Sequence, residues 1–258
     1  MCGRYIIRMQ EKYLREWERL GPPEWLKASF NVAPTQNVPV LRQVDGEVRG
    51  ALARWGLVPF FARGESPKYS TINARIETFE TAASYRGPWR RGQRCLQLAS
   101  GFYEWHMDER GRKAPYLITL ADQDSFAFAA LWDRSVKSDG MAIESCVHIT
   151  MPANELMAHI HNAGNNPHRM PAILRREDYD AWLSGTPEEA RAVLVPYPAD
   201  LMVAYEVTTR VNSVSNNDRT LVEAADTLPI AAGQQRSCVL GSRLDRDQEC
   251  PLSHSFRG

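Results

Sequence analysis

A cysteine in second position carries chemistry that no internal cysteine has. Cys2 directly follows Met1 and is small enough for the initiator methionine to be cleaved, which leaves a thiol and a free α-amine on adjacent carbons. The amine, with an ordinary pKa of roughly 7.7–8.0, is partly neutral near physiological pH and attacks an aldehyde to form a Schiff base. The thiol can then close on the imine carbon, giving a five-membered thiazolidine that resists hydrolysis better than an open imine. The plain alternative is that Cys2 merely follows the start codon. A second candidate is Glu104 in GFYEW. Strand alternation puts it on the opposite face from Tyr103 and Trp105, and a carboxylate among aromatics has its pKa raised toward the range that proton transfer during imine formation requires. It reads equally as an exposed strand glutamate or the ion-pair partner of an arginine.

The other residues with chemical potential are less telling. The five cysteines are an odd number without a CxxC pair, so neither a disulfide framework nor a zinc site is expected. Cys95 and Cys146 sit in apolar, strand-like runs where cysteine serves as a small buried hydrophobe. No metal and no cofactor is expected. Lys plus Arg and Asp plus Glu both total 31, so the chain as a whole has no electrostatic pull on a polyanion, and any nucleic-acid surface must be a local basic patch. The first residues carry charges at Arg4, Arg8 and Glu11 and lack the apolar core of a secretion signal. The longest apolar runs, such as Phe126 to Trp132, are strand-length. A cytoplasmic protein is expected.

These candidates need a scaffold, and the patterning describes one. Short β-rich segments run over Val38–Arg42, Ala51–Trp55, Cys95–Ala99, Phe102–His106, Tyr116–Leu120, Phe126–Trp132 and Cys146–Thr150. Asp45-Gly46, Arg110-Gly111 and Asp139-Gly140 mark turns between them. Helices are expected at Glu11–Leu20, Ile76–Ser84, Ala153–Ile160, Arg176–Leu183 and Pro187–Leu194, the last begun by Thr186-Pro187-Glu188. There is no internal repeat and no glycine-rich phosphate loop. The fold class is α+β: a β-rich, mainly antiparallel core with flanking short helices in a single domain. After Pro229 the sequence turns polar and loses periodicity, so 229–258 is expected to be a disordered tail and 2–228 the working domain.

A series of separated motifs then points to one family. In chain order they are MCGRY at the start, FNVAPTQ from Phe30, RWGLVPF from Arg54, INARIETF from Ile72, ASGFYEW from Ala99, HITMPAN from His148, IHNAGNNPHRMP from Ile160 and RVNSVSNND from Arg210. Together they resemble the SOS response-associated peptidase (SRAP) family over nearly the whole chain except the tail. The resemblance implies barrel-like sheets and a sensor of abasic sites in single-stranded DNA. Such a sensor attaches its N-terminal cysteine to the ring-opened sugar aldehyde as a thiazolidine cross-link. It also implies self-processing peptidase and Schiff-base lyase activity, although here only Met1 precedes the cysteine, and association with the nucleoid when bound.

The resemblance also assigns roles. Asn73 matches the family's catalytic asparagine, an uncharged amide that can hold the amine or a sugar hydroxyl without competing as a nucleophile; asparagine in such a stretch otherwise caps or turns. Glu104 matches a general acid/base. His161 matches the family's Ile-His and would shuttle the proton that opens the sugar ring, while His168, beside Arg169-Met170-Pro171, is the other candidate because Ala163–Pro167 reads as an insertion. Arg4 and Arg75 flank Cys2 and Asn73 and are expected to bind phosphates. Asn31, Ala33, Pro34, Trp55, Gly56, Trp105 and Thr150 are expected to line the DNA groove, although both tryptophans read equally as core. Arg86, Arg90, Arg91 and Arg94 around Trp89 form either a basic and aromatic strip suited to single strands or an ordinary charged face.

Two other function classes stay open on the residues alone. An N-terminal cysteine near His and Glu also suits acyl transfer, as in a peptidase or amidase acting on other proteins. A non-covalent DNA-binding module, with Cys2 incidental, is the third.

Overall fold

The structure, a computed structural model, describes residues 3–8, 17, 20–21, 25–121 and 123–225, and the backbone of 230–231. The helix expected at 11–20 lies almost wholly outside the described residues, as does the tail expected from 229.

Hairpin chemistry sets the first pairing. β3 (Asn37–Val44) and β4 (Glu47–Trp55) are joined by Asp45 at φ +52° and Gly46 at φ +83°. Two positive φ values in a two-residue loop are the mirror-image turn that matches strand twist, and they hold Val44 opposite Glu47. β6 (Arg94–Ala99), β9 (Phe126–Val136) and β10 (Ala142–Pro152) contain long stretches buried residue after residue, not on alternate residues. Such strands are covered on both faces. The reason is closure: β9 pairs with both β6 and β10, and the path β10–β4–β3–β6–β9 returns on itself as a five-stranded barrel. Along β9, Phe126, Phe128 and Ala130 share one face and Ala127 and Ala129 the other, and all five are buried.

A second sheet carries the N-terminal strand. Its order is β14 (Ile230–Ala231), β13 (Met202–Glu206), β8 (Lys113–Leu120), β7 (Gly101–Met107), β1 (Arg4–Ile7) and β2 (Ser29–Val32). β11 (Arg169–Pro171) and β12 (Ile173–Leu174) extend the barrel sheet, and β5 (Asn73–Arg75) pairs with β10. The expected α+β, mainly antiparallel architecture is thus what forms. The exceptions are the parallel pairings of β10 with β4 and with β5.

Short helices flank the sheets: α1 (Arg86–Arg90), α2 (Glu155–Ile160), α3 (Tyr179–Ser184) and α4 (Pro187–Ala192). α4 starts as its sequence predicts, with Thr186 and Glu189 forming a reciprocal capping box and Pro187 in the first turn. The helix expected over Ile76–Ser84 is not formed. Residues 76–85 run as successive turns, and the helix comes later, at α1. Tertiary packing overrides the local pattern here, because the turns carry Phe79 edge-on against Trp89, with ring centroids 4.9 Å apart.

Aromatic rings join the sheets. Tyr5 of β1 meets Trp55 of β4 at 5.3 Å and Phe128 of β9 at 5.9 Å. His148 lies against Trp55 and Phe128 at 5.3 and 5.1 Å. The Trp55 indole N–H also donates to the Ile72 carbonyl at 2.9 Å. Replacing this fully buried ring by alanine (Trp55→Ala) is expected to destabilise the protein by about 3–5 kcal/mol, read as a lowered urea-unfolding midpoint.

Candidate active site

Strand register brings the start of the chain to Glu104. β1 and β7 are antiparallel with Arg4 opposite Tyr103 and Tyr5 opposite Phe102, so the next step of the ladder sets Gly3 across from Glu104. Cys2, one residue earlier, lies outside the described residues. The Glu104 side chain is almost wholly buried, and desolvation of the charged form pushes its pKa up to about 7.

α2 delivers the second group. Its Asn154 cap accepts from the Met157 N–H at 2.9 Å, Leu156, Met157 and Ile160 are buried, and the helix ends on His161. There the ring Nε2 lies 3.9 Å from Glu104 Oε2. Its Nδ1 is 3.2 Å from the Arg169 amide nitrogen and 3.1 Å from the Arg169 carbonyl, accepting from the first or donating to the second according to its tautomer, so either way the Arg169 backbone holds the ring. Burial lowers the His161 pKa to about 4. An ion pair would move the two groups the other way, Glu104 down and His161 up. Desolvation therefore wins at both, and near neutrality the pair is an uncharged imidazole beside a carboxyl poised to exchange its proton. His168 is exposed, in left-handed backbone at φ +56°, with its Nδ1 against the Ala158 carbonyl at 3.0 Å. Of the two histidine candidates, it is His161 that faces Glu104.

Trp55 stands between β1 and β5. Its ring touches Tyr5, the neighbour of Arg4, and its N–H holds Ile72, the neighbour of Asn73. On β5, Asn73 lies opposite His148 and Arg75 opposite Thr150, while Ala74 points into the core. Arg75 is exposed and donates to the Asn166 side-chain carbonyl. Arg4 is half-buried, with Nη2 3.5 Å from the Asn212 carbonyl. Trp105, also half-buried, donates its indole N–H to Asn212 Oδ1 at 2.9 Å. Pro34 is half-exposed ahead of Thr35, whose φ is +74°.

Several residues expected to line a groove are buried in this structure and hold interior contacts. Asn31 is buried and donates to the carbonyls of Val211, Ser213 and Asn216 at 3.2, 2.9 and 2.8 Å. Trp55 and Thr150 are fully buried, Thr150 Oγ1 reaching the Ala74 carbonyl at 3.5 Å, and Ala33 is buried too. In the basic strip, Trp89 packs against Phe79 and Trp182. Arg94 is buried on the carbonyls of Trp182 and Gly185, and Arg91 pairs with Asp133 at 3.0 Å. Arg86 and Arg90 are exposed. The sequence reading missed Arg169, Asn166 and Asn212, whose roles come from contacts with residues distant in the chain. Among the described residues, no three His, Cys, Asp or Glu side chains gather into a metal-holding group, and no helix is long and apolar enough to cross a membrane.

The sequence model described as SOS response associated peptidase (SRAP) matches residues 1–214. The chain belongs to the SOS response-associated peptidase family. It is 36% identical over 230 residues to the abasic site processing protein YoqW of Bacillus subtilis, spanning 87% of this chain and 100% of that protein. It is 31% identical over 261 residues to the abasic site processing protein HMCES of Gallus gallus, spanning 84% and 76% of the two chains. A crystal structure of a Bordetella bronchiseptica protein superposes with a TM-score of 0.69 at 28% identity, covering 80% of this chain and 100% of that one. The barrel and its second sheet are therefore the SRAP architecture.

The Glu104 environment predicts a pH effect on stability. Its folded pKa of about 7 stands above the ordinary value of 4.5, so between those values the native state holds a proton that the unfolded chain has lost. The carboxyl's contribution is thus fully present below about pH 4.5 and is lost as pH rises through about 7. Glu104→Gln removes this loss. Relative to the unsubstituted protein, the variant is expected to gain stability on the order of 3 kcal/mol between pH 4 and pH 8, measured by urea melts across that range.

Proposed function

We propose that this protein processes abasic sites in single-stranded DNA by forming a covalent cross-link through Cys2 once Met1 is removed. The observation that carries the reading is the pair of uncharged buried groups, Glu104 and His161, set where β1 brings the start of the chain. The names of the relatives, abasic site processing proteins, agree with it.

In the proposed sequence, neutral His161 takes the proton of the sugar's C1′ hydroxyl and returns it to the ring oxygen as that oxygen leaves C1′, exposing the aldehyde. The Cys2 α-amine adds to the aldehyde carbon, and one of its protons passes to the carbonyl oxygen. Glu104, protonated, gives its proton to the resulting hydroxyl, which leaves as water, and the carboxylate so formed takes the remaining proton from nitrogen as the imine forms. The thiol sulfur then bonds to the imine carbon while its proton passes to nitrogen, closing the thiazolidine. Asn73 holds the amine or a sugar hydroxyl, and Arg4, Arg75 and Trp105 grip the strand with phosphate and stacking contacts. Elimination from the imine stage would give lyase activity. Residues 2–228 would form the working domain.

The test is a denaturing gel of the protein incubated with a single strand carrying one abasic site. A shifted band is expected with the unsubstituted protein and none with Cys2→Ala. Glu104→Gln is expected to slow the cross-link by on the order of 10²-fold or more. It should also abolish a decline in rate above about pH 7, where the acid form of Glu104 is lost. A band that persists in Cys2→Ala sinks the covalent mechanism, and turnover of peptides with no abasic-site product would assign the site to acyl transfer.

A further inference from the structure

Residues 162–168, Asn-Ala-Gly-Asn-Asn-Pro-His, join α2 to β11 and are fastened at both ends. At the start, Asn162 Oδ1 accepts from the Met107 N–H at 2.9 Å and its Nδ2 donates to the Met107 carbonyl at 2.8 Å. This ties the segment to β7, three residues beyond Glu104. At the end, the His168 N–H donates to the His161 carbonyl at 2.7 Å, and the His168 carbonyl accepts from Ala153 at 3.0 Å. Between these anchors stands Asn166, whose Oδ1 accepts a hydrogen bond from Arg75 Nη2.

Two arginines at this edge of the barrel have opposite circumstances. The Arg169 guanidinium is taken up by the Glu77 carboxylate at 2.5 and 3.0 Å and by the Thr150 carbonyl at 2.8 Å. A full negative charge lies against it, and the Arg169 hydrogen bond holds the Glu77 pKa below the ordinary range. Arg75 also acts on Glu77 through space, but its hydrogen bond to Asn166 goes to an uncharged amide. An amide occupies one of the five N–H donors of a guanidinium and cancels none of its charge. It orients the fork and leaves it able to take a phosphate. Holding a long exposed side chain in one rotamer before binding also removes an ordering cost that binding would otherwise bear.

We propose that Asn166 is a positioning residue that presents Arg75 to a DNA phosphate beside the reacting sugar, making residues 162–168 part of the strand-binding surface. The inference rests on the function proposed above and adds to it a loop that the reaction chemistry does not require.

The experiment measures binding of an intact single strand without an abasic site by fluorescence anisotropy over a salt series, which keeps affinity apart from the covalent step. The variants are Asn166→Ala, Asn166→Asp and Arg75→Ala, with each Asn166 change also placed in the Arg75→Ala background. Asn166→Ala is expected to weaken binding roughly two- to tenfold, the scale of ordering one long side chain. Its salt dependence should be unchanged, because Arg75 still neutralises its phosphate. Asn166→Asp is expected to weaken binding further and to lower the salt slope by about 0.7, since the new carboxylate cancels Arg75. With Arg75 already removed, Asn166→Ala should cost nothing more. Binding by both Asn166 variants equal to the unsubstituted protein would overturn the inference. So would an Asn166→Ala loss that persists in full without Arg75, which is what general damage to the fold would produce. Failure of the unsubstituted protein to bind any single strand would instead strike the functional reading itself.

Discussion

The packing of Trp55 is the contact on which the rest of the site depends. Its ring is closed in by Tyr5 from the second sheet and His148 from the barrel, and its single polar atom is spent on Ile72. One side chain therefore sets the distance between the strand that begins the protein and the strand that carries Asn73 and Arg75. A large aromatic ring suits this duty because it buries much area with little rotamer freedom, and its N–H gives direction to an otherwise undirected contact. The barrel can be closed and dry only because such rings fill it, and the dry interior makes every polar group near it costly to charge.

That cost organises the electrostatics. Glu104 and His161 stand within 4 Å, yet burial moves both toward neutrality. An ion pair would be a poor proton relay, since each member would hold the other in its charged state. A neutral pair leaves Glu104 able to give up its proton near pH 7 and His161 with an open lone pair. His148 is a more extreme case. It is fully buried, its pKa is pushed down to about 3, and neither ring nitrogen has a hydrogen-bond partner among the described residues. It serves as an aromatic filler for as long as it stays uncharged. At the surface the same accounting separates arginines that are tied into carboxylates, such as Arg169, from Arg75, which keeps its charge available.

Much of this was legible in the residues themselves. Seven strands, β3, β4 and β6 to β10, are legible nearly in place because their apolar runs, β-branched residues and turn pairs are local signals, and Asp45-Gly46 and Thr186-Pro187 act within a few residues of where they stand; the short strands β1, β2, β5 and β11 to β13 carry too few residues to show a pattern. Cys2 and Glu104 could be singled out from chemistry alone, and Asn73, His161, Arg4 and Arg75 from motifs in order. The helix expected over Ile76–Ser84 gives way to turns that set Phe79 against Trp89, a ring beyond the segment's own end.

By itself, then, the sequence determined the fold class and the family to which the chain belongs, since each follows from local residue types and their order. Only the tertiary structure decided which histidine faces Glu104 and that Asn31, Trp55 and Thr150 brace the interior. It also decided which arginines are neutralised, and that Asn166 reaches Arg75. These are matters of which side chain meets which across stretches of chain as long as 185 residues, and of how much water is left between them. Closing the barrel settles both at once, and no local pattern carries that information.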